Sequence, residues 1–375
     1  MIVGVPKELK KQEDRVGSTP DGVAGLVKAG HQVLVEDNAG LGSGYTNQQY
    51  LDAGASIVTQ AEAWNCEMII KVKEPIESEY KYFKAGQIIY TYLHLAANKK
   101  LTEALLESKA TGIAYETMIG PDGSLPLLFP MSEIAGRMAV QVGAHFLEKP
   151  HLGKGLLLSG VPGVKKGKVT IIGGGTVGVN AAKIAIGMGA SVTLLDINPK
   201  RLEEIENIFS GKIQTLMSNS QNIAHCVKES DLVIGAVLIP GAATPKLVTE
   251  KMIASMEAGS VVVDIPIDQG GLFETSVKAT THEDPVYVSH GVVHYTVANI
   301  PGAVPKTATQ ALSSVTMPYA LAIADKGVSL EQNKTIQTGI NTYQGKLTQK
   351  AVADSLNLEY SSLIDIIMND SKVKN

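Results

Sequence analysis

The stretch KVTIIGGGTVGVNAAKIAIGMGASVTLLDIN, residues 168–198, decides the fold. Its pattern predicts a strand, a glycine-rich turn, a helix and a second strand, with Gly173, Gly175 and Gly178 spaced as G-x-G-x-x-G. Asp196 ends the second strand, 18 residues after Gly178. This order is typical of dinucleotide-binding domains, where the glycines let the backbone approach a pyrophosphate at the helix N-terminus. The alternative is a glycine-rich turn that only packs the helix on the strand and binds no ligand.

Asp196 also indicates which dinucleotide is bound. A carboxylate at this position accepts hydrogen bonds from the adenosine ribose and repels a 2′-phosphate. Arg201 carries a positive charge, which weakens the argument against a 2′-phosphate, but it lies five residues after Asp196. The sequence therefore predicts NAD rather than NADP as the cofactor.

Composition excludes several classes of protein. The chain has 375 residues, with 44% apolar and 19% charged residues and a net charge of −4, which predicts two or three globular domains. No basic block indicates nucleic acid, and no apolar run reaches the roughly 18 residues of a membrane span. The two cysteines, Cys66 and Cys226, are far apart. We expect a protein of the reducing cytoplasm with no nucleic-acid or membrane partner.

Strands alternate with helical patterns in two series, which predicts an α/β fold of two Rossmann-like doubly wound parallel-sheet domains with a cleft between them. The predicted strands are 2–6, 31–36, 67–73, 87–93 and 111–117, and then 169–173, 191–196, 212–217, 231–238, 260–265 and 285–290. A long helix is expected over 131–149, with Ser132 as its N-cap. The chain after 305 is expected to contain no strand and to return to the first domain. The predicted domains are therefore 1–128 with 306–375, and 129–305.

Four ionisable residues lie near predicted strand ends, where doubly wound sheets bind ligands. They are Arg15, Lys73, His94 and Asp268. Two cations suit a carboxylate, a histidine can donate or accept a proton near neutral pH, and an acid can assist a water molecule. With NAD as the hydride acceptor, this set predicts oxidation of an α-amino or α-hydroxy acid.

Each of these residues also has a structural interpretation. Arg15 lies in a charged run that could be a solvated loop, and Lys73 shares its strand face with Lys71, so both could face water. His94 could be a core histidine. None of the histidines, including His145 inside the long helix, has another ligand at metal-binding spacing, so no metal site is predicted.

Several motifs together resemble one enzyme family nearly end to end. They are MIVGVPKELKKQEDRVGSTP, IIKVKEP, YTYLHLAAN, MSEIAGRMA, IIGGGTVGVNAA, TLMSN, VLIPGAATPKLV, VVDIPIDQGG and YTVANIPGAVPKTAT. The chain resembles the alanine dehydrogenases. The resemblance implies reversible NAD-dependent oxidative deamination of L-alanine to pyruvate and ammonium, in a homo-oligomer that is usually a hexamer.

The resemblance also implies a role for particular residues. Arg15 and Lys73 would hold the substrate carboxylate, His94 would transfer a proton, and Asp268 would assist the water step. The positions that match NAD contacts of the family are Ser132, Gly173, Gly175, Thr176, Val177, Gly178, Asp196, Arg201, Ser218, Leu238, Ile267 and Asn299.

The sequence departs from the family pattern at three positions. Ser18 replaces an apolar residue, Met217 a tyrosine, and Pro266 an alanine on what we expect to be the strand that carries the catalytic acid. Asp264 is expected to be a structural acid near the sheet. The alternatives are the soluble NAD-binding subunit of a proton-translocating transhydrogenase, which generally lacks an acid matching Asp268, a saccharopine- or lysine-type dehydrogenase, and a non-enzymatic NAD-responsive protein.

Overall fold

The computed structural model describes residues 1–237, 243–329 and 333–373. The chain divides into two compact units, one made of Met1–Pro130 with Val304–Asn375 and the other of Met131–Ala303. Each unit is built on its own β-sheet. No helix in the described ranges is long and apolar enough to span a membrane. The cleft expected between the two domains stays a prediction.

The first unit begins as a regular alternation of strands and helices. In chain order its elements are β1 (Ile2–Val5), α1 (Pro20–Lys28), β2 (Gln32–Glu36), α2 (Asn47–Asp52), β3 (Ser56–Val58), α3 (Gln60–Trp64), β4 (Met68–Ile70), β5 (Ile88–Thr91), α4 (Lys99–Ser108) and β6 (Thr111–Ala114). Short 3-10 helices lie at Leu41–Ser43, Glu77–Tyr82, Leu95–Ala97 and Tyr115–Thr117. Every residue of β4, β5 and β6 is buried, as expected for strands covered on both faces.

The second unit repeats this alternation after a long helix that begins in the first unit. Its elements are α5 (Phe129–Phe146), β7 (Lys168–Ile172), α6 (Thr176–Gly187), β8 (Ser191–Asp196), α7 (Pro199–Phe209), β9 (Gln214–Met217), α8 (Ser220–Glu229), β10 (Leu232–Gly235), α9 (Glu250–Ala254), β11 (Val261–Asp264), β12 (Val286–Ser289) and β13 (Val292–Tyr295). The 3-10 helices of this unit are Lys149–His151, Ile265–Gln269 and Ile300–Ala303.

The chain after residue 304 returns to the first unit. It forms α10 (Pro305–Lys326), α11 (Lys334–Gly339), β14 (Ile340–Tyr343), β15 (Lys346–Leu347), α12 (Lys350–Leu356) and α13 (Leu363–Val373). β14 pairs antiparallel with β6 and with β15. The expectation of no strand in this segment is therefore wrong. Gln344 and Gly345, which join the two strands, have φ angles of 51° and 77°, as a tight hairpin turn requires.

Both sheets have the strand order of dinucleotide-binding domains. Among the described residues, the first runs β15-β14-β6-β5-β4-β1-β2-β3 and the second β12-β13-β11-β10-β7-β8-β9. Six neighbouring strands of each sheet are parallel and follow the doubly wound order 3-2-1-4-5-6. The predicted fold of two Rossmann-like domains, the first of them discontinuous, is confirmed. The order reverses between β1 and β4 and between β7 and β10.

The long helix begins earlier than the sequence indicated. α5 starts at Phe129, and Ser132 is its fourth residue. The assignment of Ser132 as the N-cap is therefore wrong. Pro130 is compatible with the first turn, because the N–H groups there have no partner within the helix. The helix lies close to α6, since a Cβ on Gly136 would be 2.2 Å from the carbonyl oxygen of Val177.

A buried charge cluster lies just beyond the end of β4. Lys71 has no exposed surface, and its Nζ lies 2.9 Å from Glu8 Oε2 and 3.3 Å from Glu79 Oε1. Burial acts to lower the pKa of Lys71, but the two carboxylates outweigh it and raise that pKa. The interpretation that Lys71 faces water is wrong. Removing one member of such a cluster leaves uncompensated charge in the interior.

Lys71→Ala is expected to destabilise the first unit by about 3–5 kcal/mol, because Glu8 and Glu79 stay buried without their cation. The measurement is urea unfolding followed by fluorescence. Trp64 is the single tryptophan of the chain and is buried in this unit, so its emission reports this unit alone. Lys346→Ala, at an exposed position of the same sheet, is the control. A midpoint for Lys71→Ala equal to that of the control would contradict the prediction.

Candidate functional site

The glycine-rich turn has the geometry of a phosphate-binding loop. It connects β7 to α6, and Gly173 has a φ of 109°, a conformation that residues with a Cβ rarely adopt. A Cβ on Gly178 would lie 1.8 Å from the carbonyl oxygen of Gly173, so the helix can approach the turn this closely only with glycine there. Apart from the residues next to it in the chain, no described residue lies within 4 Å of where a Cβ on Gly175 would be. The N-terminus of α6 is thus open to an anion.

Asp196 and Arg201 hold this turn in place. Asp196 Oδ2 accepts a hydrogen bond from the Gly174 N–H at 2.7 Å, and Oδ1 accepts one from Asn198 N–H at 2.9 Å. Arg201 Nε donates to the Gly174 carbonyl at 2.7 Å, and its Nη1 lies 2.7 Å from Glu204. Because the guanidinium is engaged by these two groups, the arrangement favours a ribose with free hydroxyls over a 2′-phosphate.

A cavity of about 590 Å³ opens beside the turn. It lies at the carboxyl ends of β7, β8 and β10, where the strand order reverses. Its lining includes the predicted residues Ser132, Gly173, Gly175, Thr176, Val177, Asp196 and Ser218. The open glycine turn, the helix N-terminus and the carboxylate on one wall fit a dinucleotide. The geometry therefore supports NAD at this place.

Sequence reasoning missed part of the cavity wall. The further lining residues are Gly174, Leu195, Ile197, Ala236, Val237, Pro245 and Leu247. Most are apolar residues at the ends of β8 and β10 or in the segment TPKLV, and only the strand-end rule could have indicated them. Met217, the departure from tyrosine, ends β9 with 42% of its surface exposed and does not line the cavity.

The remaining predicted cofactor residues lie outside that lining. Gly178 packs against the Gly173 carbonyl, and Arg201 donates a hydrogen bond to the Gly174 carbonyl. Ile267 is buried in a 3-10 helix, and Asn299 has a φ of 61° with its carbonyl accepting the Gly302 N–H. Leu238 lies outside the described residues.

In the first unit, Arg15 lies beyond the end of β1 and is only 2% exposed. Its Nε and Nη2 donate to Glu13 at 2.6 Å and 2.5 Å. Burial acts to lower the pKa of Arg15, but Glu13 outweighs it and raises that pKa; the same pairing lowers the pKa of Glu13 against its own burial. The interpretation of Arg15 as part of a solvated loop is wrong. The guanidinium is a fixed charge held by its neighbour.

Lys73 lies beyond the end of β4 and is partly buried. Glu8, which pairs with Lys71, also accepts the N–H groups of Val72 at 2.6 Å and of Lys73 at 3.2 Å. Lys73 Nζ forms no ion pair with any residue that the structure describes. Burial, together with the nearby charge of Arg15, lowers the pKa of Lys73. An anion placed beside both cations would relieve this repulsion.

His94 lies three residues after β5, in a conformation that only a few residue types tolerate. Its φ is 49° and ψ is 39°, and its side chain is exposed, so it is not a core histidine. Glu116 accepts the His94 N–H at 2.6 Å and the Leu93 N–H at 3.2 Å. The ring of Tyr92 stacks on the imidazole with centroids 6.0 Å apart, and its hydroxyl donates to the Leu127 carbonyl. The Tyr92 ring thus supports one face of the imidazole.

In the second unit, Asp264 and Asp268 have different environments. Asp264 ends β11 with no exposed surface, accepts the Leu272 N–H at 3.0 Å, and has its pKa raised by burial. Asp268 is exposed in the 3-10 helix that follows. A Cβ on Gly271 would lie 2.5 Å from Asp264 Oδ2. Asp264 therefore fixes the turn that follows Asp268.

Pro266 does not lie in the strand, contrary to our expectation. β11 ends at Asp264, and Pro266 is in the first turn of the 3-10 helix Ile265–Gln269. Proline costs no ladder hydrogen bond there, because the first N–H groups of a helix have no internal partner. Its carbonyl accepts the Gly271 N–H. The substitution is compatible with this loop.

Two histidines and a glutamate at the end of α5 and just after it lie close enough together to hold a metal ion. His145, Glu148 and His151 are spaced three residues apart, and their possible ligand atoms all lie within 4.8 Å of one another. The statement that no histidine has a second ligand at suitable spacing is therefore wrong. The reason is that α5 ends at Phe146 and the chain turns back through the 3-10 helix Lys149–His151.

Comparisons with known proteins agree with this geometry. The family model "Alanine dehydrogenase/PNT, N-terminal domain" matches residues 4–135, and the corresponding C-terminal domain model matches 139–350. An alanine dehydrogenase of Staphylococcus haemolyticus is 60% identical over 99% of this chain and 100% of its own length.

Solved structures show the same relation. An L-alanine dehydrogenase structure superposes with a TM-score of 0.93 at 50% identity, covering 95% of this chain and 99% of that one. A transhydrogenase from Sinorhizobium meliloti superposes with a TM-score of 0.82 at 26% identity, covering 94% and 100%.

Gly178→Ala is expected to weaken NADH binding by more than about tenfold, because the added methyl group pushes α6 away from the Gly173 carbonyl. Gly187→Ala is the matched control, because it lies in the same helix and its new Cβ would have no described residue within 4 Å other than its chain neighbours and the backbone of the helix itself. It gains up to about 1 kcal/mol of helix propensity. NADH fluorescence titration measures both. Equal affinities for the two variants would show that close packing at Gly178 is not required.

Proposed function

The chain belongs to the alanine dehydrogenase/PNT family, and we propose that it is an NAD-dependent alanine dehydrogenase that converts L-alanine reversibly to pyruvate and ammonium. One observation carries the substrate assignment. Arg15, Lys73 and His94 follow β1, β4 and β5, which are neighbours in one sheet, so two cations and an imidazole lie at one sheet edge. A small amino acid presents a carboxylate and an amine to such a group.

Arg15 and Lys73 are proposed to hold the substrate carboxylate. Arg15 is a fixed, buried donor, and Lys73 is a cation whose pKa is lowered by burial and by the charge of Arg15. A carboxylate between them would offset both effects, which supports tight and oriented binding. Holding the carboxylate in this way fixes the position of the adjacent Cα of the substrate.

His94 is proposed to carry the proton. In the oxidative direction it accepts a proton from the water that adds to the substrate iminium, and it returns a proton to the nitrogen as ammonium leaves. An exposed imidazole suits both roles, because the two ring nitrogens of histidine can donate and accept protons. Asp268, also exposed, is proposed to orient that water. Bound NAD supplies the hydride acceptor for the Cα–H bond.

The two units are proposed to divide these tasks. We assign the substrate to the first unit, with predicted bounds 1–128 and 306–375, and NAD to the second, with predicted bounds 129–305. The cofactor contacts proposed are those of the cavity wall, with Ile267 and Asn299 near the nicotinamide end. The transhydrogenase alternative is not favoured, because identity to the alanine dehydrogenase structure is 50% and to the transhydrogenase structure 26%.

Assembly and location are further parts of the proposal. By its resemblance to the alanine dehydrogenases the chain is proposed to form a homohexamer in the cytoplasm. Two free cysteines, both buried and each with its pKa raised by burial, are compatible with a reducing compartment.

The purified protein is expected to form NADH from NAD and L-alanine and to consume NADH with pyruvate plus ammonium. Absorbance at the NADH band measures both directions. D-alanine and L-lactate are the controls, because D-alanine is the opposite enantiomer and L-lactate lacks the amine. Hydride exchange between nucleotides without turnover of L-alanine would favour the transhydrogenase alternative instead.

His94→Ala is expected to lower kcat by about 10²–10⁴-fold while NADH affinity stays unchanged, because the imidazole lies in the first unit and the dinucleotide cavity in the second. Steady-state kinetics with L-alanine and an NADH titration measure the two effects. His225→Ala, an exposed residue of α8, is the control. Turnover by His94→Ala equal to that of the control would remove His94 from the mechanism.

A further inference from the structure

We propose that His145, Glu148 and His151 form a binding site for a divalent transition-metal ion, separate from the substrate and cofactor residues. The possible ligand atoms of the three side chains lie within 4.8 Å of one another. The imidazole centroids of the two histidines are 3.8 Å apart, and His151 Nε2 lies 3.8 Å from Glu148 Oε2. None of the three lines the dinucleotide cavity.

The local fold explains why the three side chains converge. His145 is in the last turn of α5, and the 3-10 helix Lys149–His151 follows almost at once. Spacing of three residues places successive side chains on the same side of this helical path. Leu152, with a φ of 74°, then turns the chain away. The Leu147 carbonyl accepts the N–H groups of Gly155 and Leu156, which fixes the turn.

The electrostatic surroundings favour a cation. The carboxyl end of an 18-residue helix carries partial negative charge on its unpaired carbonyl groups. Glu148 adds a full charge, and its only ion pair with a described residue is the one with His151. A metal ion between these side chains would be bound by two ring nitrogens and one negatively charged carboxylate oxygen.

The ligand set indicates the kind of ion. Two imidazoles and one carboxylate suit Zn²⁺, Co²⁺ or Ni²⁺, whereas Mg²⁺ and Ca²⁺ require mostly oxygen ligands. Metal–ligand bonds of about 2.0–2.2 Å need the three donor atoms to move slightly closer together. All three side chains are exposed or partly exposed, so they can rotate into place. Water would complete the coordination.

The expected consequence is a stabilising bridge. A bound ion would join the last turn of α5 to the 3-10 helix Lys149–His151, which lies before β7 in the chain. Because binding to the folded state alone raises stability by mass action, the metal ion should raise the melting temperature of the protein.

The test uses the full chain without a histidine tag, freed of metal by chelation. Titration with Co²⁺ is followed by its visible absorption, and titration with Zn²⁺ by calorimetry. The wild type is expected to bind one ion with nitrogen ligands and to melt at a higher temperature when loaded. His145→Ala and His151→Ala should each weaken binding by more than about tenfold, and Glu148→Gln should weaken it less.

His225→Ala is the matched control, because His225 and Glu229 form a similar exposed pair, 3.8 Å apart, on the same unit. It should bind the metal ion as the wild type does. Circular dichroism checks that all variants are folded, since each changed position is at least partly exposed. The proposal is overturned if the wild type binds no Co²⁺ or Zn²⁺, or if the His145 and His151 variants bind it with unchanged affinity and melting temperature.

Discussion

Carboxylates that accept main-chain N–H groups just beyond the strands fix the positions of the candidate functional residues. Glu8 accepts the N–H groups of Val72 and Lys73, and Glu116 accepts that of His94. In the second unit Asp196 holds the glycine-rich turn and Asp264 the turn after Asp268. Loops beyond parallel strands lose the sheet ladder and must satisfy their N–H groups elsewhere. A carboxylate does so with charge-assisted hydrogen bonds, which are stronger than those of neutral acceptors.

This arrangement explains how a loop outside the sheet can hold a candidate catalytic residue in a fixed position. His94 adopts a left-handed backbone conformation, which costs about 1–3 kcal/mol and persists only where the surrounding structure enforces it. The contacts with Glu116 and Tyr92 do so here. The carboxylates also balance the cations: Glu13 neutralises Arg15, while Lys71 offsets Glu8. Because Glu13 already neutralises Arg15, the uncompensated positive charge proposed for a substrate carboxylate is that of Lys73, which forms no ion pair with a described residue.

Sequence reasoning could predict what depends on local patterns. The spacing of Gly173, Gly175 and Gly178, with Asp196 at the end of the next strand, was sufficient for the fold of the second unit, and strand ends drew attention to the candidate substrate residues. The supporting carboxylates could not be found this way, because Glu8 lies 65 residues before Lys73 and Glu116 lies 22 after His94. The β14–β15 hairpin was missed because its first strand contains buried polar residues instead of an apolar run.

We propose that the protein removes a hydride from the Cα of L-alanine while Arg15 and Lys73 hold the carboxylate. To test this, the protein is incubated with NAD and L-alanine carrying deuterium at Cα, and the mass of the NADH is measured by mass spectrometry. NADH heavier by one mass unit, formed in equal amount to pyruvate, is expected. NADH without the deuterium, or pyruvate formed without NADH, would contradict it.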